Sequence, residues 1–255
     1  MSELHHLSTG EGEAVVLIHG FGLDLRVWDD LVPWLAARHR VIRYDLRGFG
    51  RSPLPGADYA HADDLAILLD HLGIARAHVL GISMGGWIAT HFALTHPQRL
   101  NRLVLVSPAL IGWEWLPDWK ARWSEVKRVA REQGIEAARQ QWLAHPLFAS
   151  LQMQPAARAR LAALVADYSG WHWLNAHLDP QQPIAPPDIE RLDQIRAPTL
   201  VLRGERDLED FQCCADILTD NIPGARSEVI VGAGHLLDLE QPERFGRIVA
   251  DFLAR

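Results

Sequence analysis

The sequence predicts an α/β fold: a doubly wound, mostly parallel sheet covered by helices on both faces, with one helical lid insertion. Three observations carry this expectation. Short apolar runs rich in β-branched residues alternate with longer segments in which apolar residues return every three to four positions. The runs are hydrophobic nearly throughout instead of alternating, as central parallel strands buried on both faces require. The alternation then stops after residue 107 and resumes near residue 199, with only helical periodicity between.

Taken in order, residues 4–7 and 10–12 suit a lead-in strand and turn. Strands are predicted over 14–19, 40–45, 77–81, 102–107, 199–204 and 228–231. Helices are predicted over 27–37, 59–72, 87–96, 211–218 and 242–253. In the second of these, Leu65, Leu68, Leu69 and Leu72 mark a single apolar face. Between residues 111 and 187 the spacing predicts helices over 119–133, 136–142 and 156–168, followed by a proline-rich exit. The expected organisation is a core of residues 1–110 and 188–255, with 111–187 inserted as a lid.

Bulk properties narrow the function. A chain of 255 residues, 48% hydrophobic and 22% charged, can bury the core of one large domain. A formal net charge of −7 argues against nucleic acid or an anionic membrane as partner. No apolar run approaches the roughly 20 residues that span a bilayer. The first twelve residues carry His, Glu and Gly where a secretory signal needs an apolar stretch, so a cytoplasmic location is expected. Cys213 and Cys214 are adjacent and read as two thiols on a helix, offering neither a disulfide nor a metal-ligand pair.

The chemistry is concentrated in a few motifs. Gly81-Ile82-Ser83-Met84-Gly85 joins a predicted strand to a predicted helix with Gly-x-Ser-x-Gly spacing. A serine displayed on so tight a turn leaves no room for side chains two residues away, so glycine is expected at both positions. A serine hydroxyl needs a base. His235, in Val231-Gly232-Ala233-Gly234-His235, follows the last predicted strand, at the carboxyl edge where doubly wound sheets place their sites. A carboxylate must orient that imidazole, and Asp207 follows the preceding strand. Glu205, Asp210 and Asp238 compete, but Glu205 stands too near the strand end and Asp210 suits a helix cap. The oxyanion of an acyl-transfer intermediate needs backbone N–H donors. Met84, after the serine, and Phe21, in His19-Gly20-Phe21-Gly22, are the candidates.

Together with Asp45-Leu46-Arg47-Gly48-Phe49-Gly50-Arg51-Ser52, these motifs resemble the α/β-hydrolase superfamily in their order and over nearly the whole chain outside the lid. The branch they resemble includes carboxylesterases, enol-lactonases, cofactor-free perhydrolases and a carrier-protein methyl ester esterase. The resemblance implies a catalytic triad of Ser83, Asp207 and His235, an oxyanion hole at Phe21 and Met84, and neither cofactor nor metal. It implies a small-molecule ester or lactone as substrate, with carbon–carbon bond hydrolysis or perhydrolysis as alternatives. Aspartate at the elbow would imply dehalogenase or epoxide hydrolase chemistry; serine implies acyl transfer. The 45–52 segment is expected to be scaffold, although Arg47 and Arg51 could also bind an anion. A ligand-binding receptor on the same scaffold is the alternative of another class.

Seven of the ten tryptophans fall in the expected lid: Trp113, Trp115, Trp119, Trp123, Trp142, Trp171 and Trp173. Trp119, Trp123 and Trp142 stand at helical spacing and suit packing of the lid. Trp142 is also a candidate for the pocket wall, with Trp171 and Trp173. Lys120, Arg122, Lys127, Arg128 and Arg131 give one helix a basic character that reads as a solvated face. Docking of an acyl carrier protein is the functional alternative.

Overall fold

The computed structural model describes residues 4–56 and 58–254. Its sheet has seven strands in the order β1-β3-β2-β4-β5-β6-β7. These are β1 (His6–Thr9), β2 (Glu13–Ile18), β3 (His39–Tyr44), β4 (Ala77–Ile82), β5 (Leu100–Val106), β6 (Thr199–Gly204) and β7 (Arg226–Ile230). Only β1, at one edge, runs antiparallel; every other pairing is parallel. Val15, Val16, Leu17 and Ile18 are all fully buried, which explains why β2 reads as an unbroken apolar run. The lead-in strand lies two residues later than expected.

The core helices are α1 (Val32–Ala36), α2 (His61–His71), α3 (Met84–Thr95), α8 (Glu209–Asn221), α9 (Leu237–Glu240) and α10 (Pro242–Leu253). The helix expected over 27–37 is two pieces: a 3-10 turn over Leu25–Asp30, capped by the Asp24 side chain, and then α1. Pro33 has no N–H to give a continuous helix, so the chain restarts just before it. Trp28 is buried at this joint and stacks on Phe245 of α10, with ring centroids 6.4 Å apart.

Between β5 and β6 lie α4 (Pro117–Gln133), α5 (Ile135–Leu143), α6 (Pro155–Asp167) and α7 (Trp171–Asn175). Gly134, at φ 90°, turns α4 into α5 through a conformation that disfavours any side chain. α4 packs against both α5 and α7. Arg26 reaches Asp167 at 2.7 Å and Arg160 pairs with Asp30, so α6 is fastened to the segment after β2 at two points. Among the described residues no helix is long and apolar enough to cross a membrane.

Candidate active site

β4 ends at Ile82 and α3 begins at Met84, which leaves Ser83 alone in the turn. Its φ of 55° and ψ of −115° lie outside the regions that side chains favour. Such strain costs about 1–3 kcal/mol and persists only where the surroundings over-determine the backbone. Here they do. Ser83 N–H donates to Val106 O at 2.9 Å, and Ser83 O accepts from Gly86 N–H at 2.9 Å and Ala109 N–H at 3.0 Å. A Cβ on Gly81 would fall 2.0 Å from Gly85 O, and one on Gly85 would fall 2.3 Å from Ile18 O. Both glycines are therefore required by backbone contact, the second because α3 is pressed onto the end of β2.

Gly204 of β6 stands opposite Ile230 of β7, so the loops that follow these strands run side by side. One carries Asp207 and the other His235. His235 Nδ1 lies 3.0 Å from both carboxylate oxygens of Asp207. Asp207 Oδ1 also accepts Leu208 N–H at 2.8 Å, and both residues are buried. With Nδ1–H donating to the carboxylate, Nε2 is left as the basic nitrogen. Nε2 is buried without a hydrogen-bond partner among the described residues, and the imidazole lines the same cavity as Ser83.

The competing acids are engaged elsewhere or have no partner. Glu205 accepts Gly232 N–H at 2.9 Å. Asp210 is not a helix cap: it is the second residue of α8, and its Oδ1 accepts Trp113 Nε1–H at 2.8 Å and Leu116 N–H at 2.9 Å. It thereby ties the start of the inserted segment to the core. Asp238 is buried, and neither of its oxygens has a partner among the described residues.

Met84 opens α3, so its N–H belongs to a first turn that has no intrahelical acceptor. Phe21 lies in the turn after β2, and a Cβ on Gly20 would come within 3.3 Å of Ser83 Cβ, so this turn runs directly beside the serine. His19 holds the turn in place. Its Nδ1–H donates to Gly20 O at 2.8 Å while Nε2 accepts Leu46 N–H at 3.0 Å. That pattern needs a neutral ring, and burial lowers the His19 pKa accordingly. The segment after β3 is scaffold. Asp45 accepts Leu25 N–H and Arg51 N–H, each at 2.8 Å, and Arg47 is paired with Asp64.

Ser83, His235, Phe21 and Met84 border one cavity of about 250 Å³. The inserted segment supplies much of its wall: Trp115, Trp119, Trp123, Trp142, Leu147 and Phe148. Apart from Ser83 and His235, every lining residue is aliphatic, aromatic, glycine or methionine; no Lys, Arg, Asp or Glu lines it among the described residues. Behind Trp119 and Trp142, each with its ring 5.3 Å away, sits His145. Burial pushes its pKa down to about 4, so it too is uncharged at neutral pH.

Of the three tryptophans expected in the wall, Trp142 is there, and Trp171 and Trp173 are not. Trp173 is fully buried outside the wall, with its ring 6.1 Å from Phe21 and packed edge-on against Tyr168 at 4.9 Å. Trp171, on the same short α7, is only half-buried and contacts His172 at 4.9 Å. Trp119 and Trp123, expected as lid packing, reach the cavity together: they stand one turn apart on α4, and Trp115, in the segment before that helix, stacks on Trp119 with centroids 4.9 Å apart. That spacing was the signal available in the sequence; which way the stripe pointed was not. The basic helix is not bare. Lys120 pairs with Glu114, Arg122 with Asp118, and Arg128 with both Glu125 and Glu132, while Lys127 lies over the Trp123 ring.

A family model described as alpha/beta hydrolase fold matches residues 13–242. The chain is 30% identical to a pimeloyl-(acyl-carrier protein) methyl ester esterase of Aeromonas hydrophila, covering 96% of each chain. It is also 30% identical to a 2-hydroxy-6-oxo-6-phenylhexa-2,4-dienoate hydrolase of Burkholderia cepacia, covering 98% of this chain and 91% of that one. Among solved structures, the enol-lactonase from Burkholderia xenovorans LB400 superposes with a TM-score of 0.82 at 29% identity, over 99% of this chain and 96% of that one.

Proposed function

The chain belongs to the α/β hydrolase fold family and is a hydrolase; from that premise we propose that it cleaves neutral, apolar carboxylic esters or lactones through an acyl intermediate on Ser83. In this reading Ser83 Oγ attacks the carbonyl carbon while its proton passes to His235 Nε2. Asp207 holds Nδ1–H and stabilises the imidazolium that forms. The N–H groups of Phe21 and Met84 receive the oxyanion. The imidazolium then protonates the leaving alkoxide, and a water molecule, deprotonated by the same imidazole, releases the acid and restores Ser83.

The observation that carries the substrate class is the uncharged cavity wall. A dienoate, the substrate named for one relative, brings a carboxylate, as does any ω-carboxyl acyl chain. Desolvating that charge without a cation or a set of donors is costly by several kcal/mol. A neutral acyl group pays no such penalty, and each buried methylene gains about 0.8 kcal/mol. Hydrolysis of neutral esters is therefore favoured over carbon–carbon cleavage of anionic substrates.

A substrate panel tests this reading. Neutral p-nitrophenyl esters from acetate upward should gain about threefold to fourfold in kcat/KM per methylene until the cavity is full. Matched ω-carboxylate esters should be poorer by about 100-fold or more. An anionic dienoate turned over faster than every neutral ester would overturn the proposal.

A further inference from the structure

Residues 234–236 link β7 to α9 and carry His235. Glu240 is the last residue of α9, and its carboxylate is buried beneath this link. Glu240 Oε2 accepts Gly234 N–H at 2.7 Å, and Glu240 Oε1 accepts Leu236 N–H at 3.2 Å. One carboxylate thus takes the two peptide N–H groups that flank the histidine. A local helix cap would need only the second bond, because Leu236 is the residue that caps α9. The bond to Gly234 reaches outside the helix.

The same three residues are held from two further sides. A Cβ on Gly204 would fall 2.0 Å from Gly234 O, so the end of β6 lies against the link. A Cβ on Gly234 would fall 2.2 Å from Ser150 Oγ and 3.2 Å from Glu240 Oε1. Ser150 belongs to the 3-10 segment Pro146–Met153 of the insertion. The histidine's backbone therefore sits between the sheet, the insertion and one buried carboxylate. Of these, only the carboxylate supplies charge-assisted bonds, which are about twice as strong as neutral ones.

We propose that Glu240 is a positioning residue for His235, fixing the backbone on both sides of the imidazole so that Nδ1 stays centred on the two Asp207 oxygens. This inference rests on the reading of His235 as the general base. The titratable groups around Glu240 are His235 itself and Asp238 on the same helix, with Arg160 of α6 acting on Asp238. Asp238 is the natural contrast: equally buried and two residues away, it makes no bond to the histidine link.

Steady-state ester hydrolysis by wild type, Glu240→Gln, Asp238→Asn and His235→Ala separates the possibilities. In Glu240→Gln one amide nitrogen must face a peptide N–H, so kcat should fall about 10- to 100-fold while KM stays within about twofold. The acid limb of its pH–rate profile should move to lower pH, because the imidazolium loses a nearby anion. Asp238→Asn should keep kcat within about twofold of wild type. A folded Glu240→Gln with wild-type kcat and pH profile, beside an inactive His235→Ala, would overturn the clamp and leave the general base intact. A fully active His235→Ala would overturn the general base and the clamp with it. Amide NMR of the wild-type protein supplies a measurement that needs no variant. The Gly234 and Leu236 N–H resonances should shift together with one midpoint as Glu240 titrates; separate midpoints, or no shift, would contradict the shared carboxylate.

Discussion

The sheet edge and the inserted helices meet at one cavity but are built by different means. At the sheet edge, position is set by backbone. Ser83 is held by four peptide hydrogen bonds, Gly81 and Gly85 are pressed against carbonyl oxygens, and the His235 link is held by Glu240. In the insertion, position is set by rings. Phe21 touches Trp123, Trp142, Tyr168 and Trp173, with centroids 4.7 to 6.1 Å apart, and Trp119 stacks in parallel with Trp123. Hydrogen-bonded backbone has one geometry, whereas packed rings have several of similar energy. The edge is thus suited to chemistry, which tolerates little displacement, and the insertion to defining which acyl group fits.

If that division holds, substitutions should sort by region. The largest effect belongs to the edge: Ser83→Ala or His235→Ala should lower kcat by about 10⁴ or more for every ester in a panel, whatever its chain length. A loss that depended strongly on acyl length would blur the two roles.

Two histidines of the insertion and one buried aspartate of α9 respond to pH in opposite senses. In the insertion, burial pushes His145 and His172 down to about 4, from an ordinary value of 6.5. Such groups support the fold fully above about pH 6.5 and lose that support as pH falls through their folded values. Asp238, beneath the edge, has the opposite sign. Burial pushes its carboxyl from 3.8 up to about 7, so its contribution is fullest below about pH 4 and is lost as pH rises through 7. Asp238→Asn should therefore raise stability near pH 8 by on the order of a few kcal/mol and change little near pH 4. Acidification of the wild type from about pH 7 to pH 4 should alter tryptophan fluorescence before far-ultraviolet ellipticity falls, because most of the tryptophans sit with the two histidines. Simultaneous loss of both signals would mean that the insertion has no separate response.

What the sequence made legible follows the same division. β6 and α10 match their predicted limits at both ends, and the serine, aspartate and histidine fall on the loops expected for them. Backbone-determined features leave local signatures: glycine where a Cβ would strike a carbonyl, β-branched runs where both faces are covered. α3 begins at Met84, three residues ahead of the predicted start, because Gly85 and Gly86 disguise a first turn that close packing requires. α7 went unpredicted, and with it the burial of Trp173, because five residues show no periodicity. Which tryptophan stripe faced the serine depended on how α4 and α7 dock, a tertiary fact with no local trace. Glu240 was equally silent, since a side chain that binds peptide N–H groups leaves no motif.

The smallest expected effect is the one that tests the insertion's role. Trp123→Ala should flatten the threefold-to-fourfold gain per methylene while leaving acetate ester turnover within about threefold of wild type. Trp171→Ala, away from the cavity, should preserve the whole series. If Trp171→Ala flattened the series and Trp123→Ala did not, the assignment of the wall would be reversed.

The central claim is an acyl group carried on Ser83, and covalent trapping tests it most directly. Wild-type protein treated with a fluorophosphonate should gain one adduct, located by tandem mass spectrometry on Ser83, as ester turnover disappears. Ser83→Ala should take no adduct and show no turnover above the residual level. An adduct on another residue, or an active protein that takes no adduct, would contradict the account.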